Sequence, residues 1–506
     1  MLDRLAQRLR ISAVPQIFFI SAIIAILFVV FALPFKTQYA VFFGALGDFT
    51  FTYFGWFYVL SVTGLLVFLI WLAFSRYGQV RLGQDHQRPE YTSFTWFVML
   101  FAAGIGTILM FWGVAEPLSH YINPPFAEVE AESLAAAKAS MNVALYHFGL
   151  HTWTIFTLPA VAIGYFSYRK NLPMRISSVF YGILKERIYG PIGWTIDIIS
   201  LLGTLFGVAV SVGLGTLQLN SGLLYMFGIP VGALAQVVIV AVITLVATLS
   251  VALGLDRGIK RLSYVNIILA VLLLLFVWFF GPTLFITSGA VQNLGMYVQN
   301  LPWMSLWTEA YQGTSWQQSW TVFYWAWTIS WAPYVGLFIA RISKGRTLRE
   351  LIMGALGAPL LFTLIWFSVF GLSAIDLELN HGVDLSSQVR ADVSVALFTF
   401  LQQFPWATVT SVLSAIIIIV FLTTSADSAA LVIDLLSRRE NQPSRTGQRI
   451  FWMLLLGAVS ATLLLGGGLR ALQNVITALG FPFCVLLVLM AIALLSELKK
   501  EPSNSF

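Results

Sequence analysis

The sequence predicts an all-α integral membrane protein of twelve transmembrane helices, on three observations: its composition, its apolar runs and the placement of its basic residues. Hydrophobic residues fill 58% and charged residues 10% of the 506 positions, more apolar than a globular domain allows. Runs of about 18 apolar residues or more, enough to cross a bilayer, fall at 14–34, 53–75, 94–114, 141–168, 190–226, 230–254, 264–287, 319–343, 352–376, 406–438, 447–467 and 475–496. If these runs alternate in direction, 24 of the 28 Lys and Arg lie on one side, and only Lys36, Lys138, Arg390 and Arg470 on the other. That asymmetry supports an even number of spans with both termini cytoplasmic in a cell (inner) membrane. The net charge of +6 therefore reports topology and lipid headgroup contact, and nucleic-acid binding is not implied.

The first run has no small-residue cleavage site and ends at Leu33-Pro34-Phe35-Lys36, so it is read as a retained helix. The longest polar connection, 115–140, is acidic through Glu116, Glu128, Glu130 and Glu132 and is expected outside. The single Cys484 excludes an intramolecular disulfide. Only Ser496 to Phe506 follows the last run, so regulation through a long charged terminal domain is not expected.

The eighth run is the most informative. Trp325, Trp327, Trp331, Pro333 and the terminal Arg341 crowd one helix, which lipid solubility alone would not require. Pro333 removes a backbone donor and is expected to weaken the helix, a defect tolerated where protein or a water-filled cavity satisfies the backbone. The third run has its own weak centre, Gly104-Ile105-Gly106. Interrupted helices five spans apart point to an inverted-repeat transporter with its site at the midplane.

The stretch Trp325-Ala-Trp-Thr-Ile-Ser-Trp-Ala-Pro-Tyr-Val-Gly-Leu-Phe-Ile-Ala-Arg-Ile-Ser-Lys-Gly-Arg346 resembles the signature of the betaine/carnitine/choline transporter family. Ala103-Gly-Ile-Gly106, Phe111-Trp-Gly-Val-Ala-Glu-Pro117, Gly213-Leu-Gly-Thr-Leu-Gln-Leu219 and Thr424-Ser-Ala-Asp-Ser428 are similar to its other landmarks, and the likeness runs from about residue 10 to 495. The resemblance implies two extra helices followed by two inverted, LeuT-like five-helix repeats, a homotrimer, and transport of zwitterionic quaternary ammonium compounds. Its domains would be 1–90, with the tail and helices 1–2, then 91–290 and 315–497 for the repeats, and 498–506 for a short tail.

The same resemblance assigns roles. Phe148, Trp153 and Phe156 stand where the family places substrate-contacting aromatic residues, and Trp327 and Trp331, one turn apart, supply the facing wall. Aromatic faces attract a desolvated quaternary ammonium, worth about 2 kcal/mol per well-placed ring. Trp325 is expected to pack. Gly104, Ile105 and Gly106 would present backbone amides to a substrate carboxylate. Thr424 and Ser425, with Phe421 and carbonyls near Ala102 and Ile105, resemble a sodium site, since sodium prefers oxygen ligands. A second ion position offers Thr204 but has Val208 one turn on.

The departures are equally telling. Thr328 replaces a tryptophan common in relatives, which opens the cage and favours a bulkier or hydroxylated substrate over glycine betaine. Ile108 stands where choline carriers have an aspartate, favouring a zwitterion over a net cation. Ile267 stands where sodium-independent exchangers have an arginine, favouring sodium symport. A carnitine-type exchanger, or a carrier of dimethylsulfoniopropionate, ectoine or taurine, is the alternative. His147 and His151, one turn apart, lack an evident third ligand, and Glu116 and Asp427 are expected as helix-end partners. No clustered nucleophile or metal set suggests an enzyme, and no cofactor beyond sodium is expected.

Overall fold

The structure is a computed structural model that describes residues 2–8, 11–104, 106–253, 256–439, 442 and 444–502. After a short N-terminal helix, α1 (Pro15–Ala32) and α2 (Lys36–Phe74) lead into the pair α3 (Ser93–Gly104) and α4 (Thr107–Ile122). A second pair, α5 (Leu134–Phe148) and α6 (Leu150–Gly164), precedes α7 (Pro191–Phe227), α8 (Ala233–Leu253), α9 (Asp256–Phe280) and α10 (Thr283–Met304). The chain then forms α11 (Phe323–Ile342), α12 (Leu348–His381), α13 (Ala407–Ser437) and α14 (Thr446–Leu498). Local signals set several ends. Pro191 opens α7 and left-handed Gly228 closes it, while Thr347 and Glu350 cap α12 reciprocally, as these residue types favour.

Among the described residues, nine stretches are helices long and apolar enough to cross a membrane, and the protein is a multi-pass helical membrane protein. Several expectations about individual runs are corrected. The second run begins at Lys36 rather than 53. The eleventh and twelfth runs remain two helical segments within α14, separated by the non-helical Gly467 (φ 152°) and Gly468 (φ 60°), backbone angles that favour glycine. The third run is two helices, as its weak centre predicts, and the fourth is also two, which was not expected. The eighth is not broken: Pro333 lies inside an uninterrupted α11. A proline costs a helix about 3 kcal/mol. Here the helix is enclosed by packed neighbours, with Trp325, Ala326, Trp327, Ile329 and Ala332 all buried.

α11 occupies the centre. It packs most extensively on α6, and also on α7 and α14, and Trp325 and Trp327 are wholly enclosed. α8 and α9 instead carry exposed apolar side chains such as Leu234, Val242, Ile268 and Phe279. In lipid, burial of such groups brings little hydrophobic gain, so close backbone approach matters more. The end of the eighth-run motif acts as a clasp. Leu82 and Arg346 share a 2.8 Å backbone hydrogen bond, Gly345 returns one to Leu82 at 2.8 Å, and the Arg346 guanidinium lies 4.0 Å over the Trp96 ring.

Candidate functional site

The break in the third run is present. α3 ends at Gly104, Gly106 is extended (φ −163°, ψ −179°), and α4 starts at Thr107. The Gly106 carbonyl accepts from the amides of Leu109 (3.1 Å) and Met110 (3.3 Å). The amides ahead of Leu109 have no carbonyl one turn back within the helix, and the positive end of its dipole points at the break. Ala102 and Gly104 lie in the last turn of α3, and Ile105 lies outside the described residues. A Cβ on Gly106 would meet nothing within 4 Å, so no neighbour demands glycine there.

The break between α5 and α6, at Gly149, was not foreseen. A Cβ at Gly149 would come within 2.4 Å of the Leu145 carbonyl oxygen and 2.6 Å of the Tyr297 hydroxyl. That hydroxyl accepts the Leu150 amide at 3.0 Å, satisfying a donor freed by the break. Phe148 consequently ends α5, while Trp153 and Phe156 fall in the first turns of α6, paired edge to face at 5.5 Å. All three are buried.

On α11, Trp327 stacks on Phe323 at 5.8 Å and its indole nitrogen donates toward the Gly207 carbonyl and the Ser211 hydroxyl, each at 3.2 Å. Trp331 lies against Gly207, where a Cβ would approach its Cδ1 to 2.9 Å. Its own indole N–H is buried without a partner. Thr328 is buried, and its hydroxyl donates to the Tyr324 carbonyl, so toward a ligand it can only accept. Trp325 stacks on His151 at 5.4 Å. The walls thus sit on facing helices, with no ring pair joining Trp153 or Phe156 to Trp327 or Trp331 among the described residues.

Tyr324 is the residue the sequence reading missed. Its ring lies 5.0 Å from Phe148, 5.2 Å from Trp112 and 6.3 Å from Trp327, so it ties α4 and α5 to α11. The available signal was its position one turn before Trp327 and Thr328, on one helical face.

On α13, Thr424 donates to the carbonyls of Val420 (2.9 Å) and Phe421 (3.1 Å). Its oxygen lone pairs remain able to face a hard cation. Ser425 is half-buried and Phe421 buried. Thr204 donates back to the Ser200 carbonyl at 2.9 Å, with Val208 enclosed nearby. Ile267 lies in α9, half-buried.

Glu116 and Asp427 are not helix-end partners. Asp427 sits inside α13 and pairs with Arg449 of α14 at 3.2 Å. Glu116 sits inside α4, completely enclosed, with His120 and His147 at its carboxylate. The third partner that His147 lacked in the sequence is thus supplied by folding, and α4 continues past residue 114 because these imidazoles make a buried carboxylate tolerable.

In general, aromatic faces attract a cationic apolar head and a helix N-terminus attracts an anionic end. A family model described as betaine/carnitine/choline family transporter matches residues 16–503. The ectoine/glycine betaine/proline transporter EctP of Corynebacterium glutamicum is 43% identical over 96% of this chain and 80% of its own length. The ectoine/hydroxyectoine transporter of Virgibacillus pantothenticus is 39% identical over 96% of each. The high-affinity choline transport protein of Escherichia coli is 39% identical over 96% of this chain and 72% of its own.

Proposed function

The chain belongs to the betaine/carnitine/choline transporter family, and from that premise we propose that it imports a small zwitterion of the betaine or ectoine type by sodium symport. It is a transporter and not an enzyme. The substrate class is supported by the buried aromatic residues of α5, α6 and α11 together with the interrupted start of α4 at Gly106. The rings would take the quaternary or delocalised cation, and the helix terminus its carboxylate.

Thr328 in place of an indole leaves room for more than the smallest betaine, and two relatives are named for ectoines. Sodium is supported by the adjacent hydroxyls of Thr424 and Ser425 on α13, and by Ile267 at the position where a guanidinium would replace the ion. In this reading the chain crosses the inner membrane twelve times with both ends cytoplasmic, its repeats at 91–290 and 315–497. A homotrimer would cover the apolar stripe of Leu284, Val291 and Val298 on α10, which is exposed in the single chain.

The test is uptake into proteoliposomes of glycine betaine, carnitine, dimethylsulfoniopropionate, choline, ectoine and taurine, with and without sodium. Saturable sodium-dependent uptake of betaine or ectoine, with choline excluded, is expected. Preferred choline uptake would overturn the zwitterion reading, and sodium-independent counterflow would favour exchange.

A further inference from the structure

We propose that Glu116, His120 and His147 form a proton-binding site directly behind the aromatic cage, and that its protonation lowers the affinity for cationic head groups. Glu116 and His120 are one turn apart on α4, and His147 lies in the last turn of α5. Glu116 Oε1 is 2.6 Å from His147 Nδ1 and 3.2 Å from His120 Nε2. His147 Nε2 is in turn 2.9 Å from the Thr321 hydroxyl. All three side chains are at most 1% exposed. Glu116 Oε2 and His120 Nδ1 have no hydrogen-bond partner.

The charge balance makes this a site for a small cation. With both imidazoles neutral, each can donate one N–H to Oε1, and the group carries a full negative charge inside the membrane. Such a charge is costly unless paired. The three residues offer ligand atoms within 4.8 Å of one another, but two ligands about 2.1 Å from one tetrahedral ion stand about 3.4 Å apart, so Oε1 and Nδ1, 2.6 Å apart, do not share one. That separation is a hydrogen bond between charged or polar groups, so a proton is the occupant the geometry favours.

The other titratable groups nearby do not supply a counter-charge. His151 on α6 contacts the Thr63 hydroxyl at 3.4 Å and stacks on Trp325. Tyr146 on α5 lies edge-on to His151, and Tyr297 on α10 bonds the Leu150 amide. Glu309 accepts the Trp316 and Gln317 amides. α12 and α7 present Trp366 and Gln218 to α4, and Asp427 of α13 pairs with Arg449. Beyond the Ile122 end of α4, Arg390 pairs with Glu132.

The link to the cage is Tyr324. Its hydroxyl faces Glu116 short of a well-formed hydrogen bond, its ring touches His147 at 5.2 Å and Phe148 at 5.0 Å, and its carbonyl holds Thr328. A charged Glu116 attracts that hydroxyl and places negative potential behind the rings. A neutral one does neither.

The proposal rests on the zwitterion reading of the cage, and the experiment separates the two. The dissociation constants of glycine betaine and choline are measured by tryptophan fluorescence between about pH 5.5 and 8.5, the range in which imidazole-linked sites titrate, for the wild type, Glu116→Gln, Glu116→Asp and His120→Asn. Wild-type affinity should rise about fivefold or more with pH, a coupling of ordinary size, and more for choline than for the zwitterion. Glu116→Gln should be weak and pH-independent, with Glu116→Asp restoring part of the slope. If Glu116→Gln does not fold, His120→Asn must still flatten the profile. A substrate-free infrared titration completes the test: acidification should raise a protonated-carboxyl band in the wild type that is missing in Glu116→Gln. Absence of binding by both ligands overturns the cage reading alone. A wild-type profile that is flat, or equally steep in Glu116→Gln, or a missing infrared difference, overturns the proton site.

Discussion

Gly336 of α11 sits so close to Pro159 of α6 that a Cβ on it would lie 2.7 Å from the Pro159 Cβ and 3.2 Å from the Ala160 nitrogen. This contact fixes the spacing of the two helices that carry the aromatic walls. Gly336→Ala should push them apart or strain them, at a cost of about 1–3 kcal/mol, as overpacking does. Gly357→Ala, where a Cβ meets nothing within 4 Å, is the control. Thermal unfolding in detergent should show a lowered midpoint for the first variant only.

Trp153 and Trp331 are expected to hold the cationic head. Replacing either by Leu keeps apolar bulk while removing the ring quadrupole, so affinity should fall about tenfold, close to 1.4 kcal/mol. Equilibrium binding of glycine betaine or ectoine checks this, and unchanged constants in both variants would refute the cage.

The double substitution Thr424→Ala, Ser425→Ala removes two oxygens from the proposed sodium shell. Uptake driven by a sodium gradient should collapse while the protein still folds, because the remaining carbonyls are too few to replace hydration. Retained wild-type sodium dependence would place the ion elsewhere.

Thr328→Trp should shift preference toward compact glycine betaine and away from larger or hydroxylated zwitterions, since specificity is a difference between affinities. Its loss of the hydrogen bond to the Tyr324 carbonyl affects both ligands alike, so the ratio of affinities in competition assays is the proper measure. An unmoved ratio would mean that Thr328 serves packing alone.

The end of the chain offers a pH test outside the membrane. Burial works against ionisation of Glu501, yet hydrogen bonds from Arg169, Lys170 and Tyr165 hold its carboxyl down to about 2. A depressed carboxyl contributes stability that is present above its ordinary range and is lost as pH falls toward 2. Glu501→Gln should therefore be less stable than wild type at neutral pH. The gap in unfolding midpoint should narrow on acidification from about pH 5 downward, and a constant gap would show that the ion pairs contribute nothing.

By itself the sequence determined the helical membrane class and displayed the asymmetry of its basic residues and the aromatic motif of α11. Hydropathy and charge are sums over neighbouring residues, and the motif around Trp327 and Trp331 is contiguous, so neither needs a fold to be read. The interruption at Gly104–Gly106 was legible for the same reason. Only the tertiary structure decided where the other interruptions fall. Pro333 looked like a break and is not one, because packed neighbours hold the surrounding helix. Gly149 looked ordinary and is a break, because the Tyr297 hydroxyl from α10 receives the amide that the break frees. Glu116 and His147 lie 31 positions apart on separate helices. Their union needed the fold, since no local pattern records which buried groups will meet, and an enclosed carboxylate is tolerable only where folding delivers its hydrogen-bond donors.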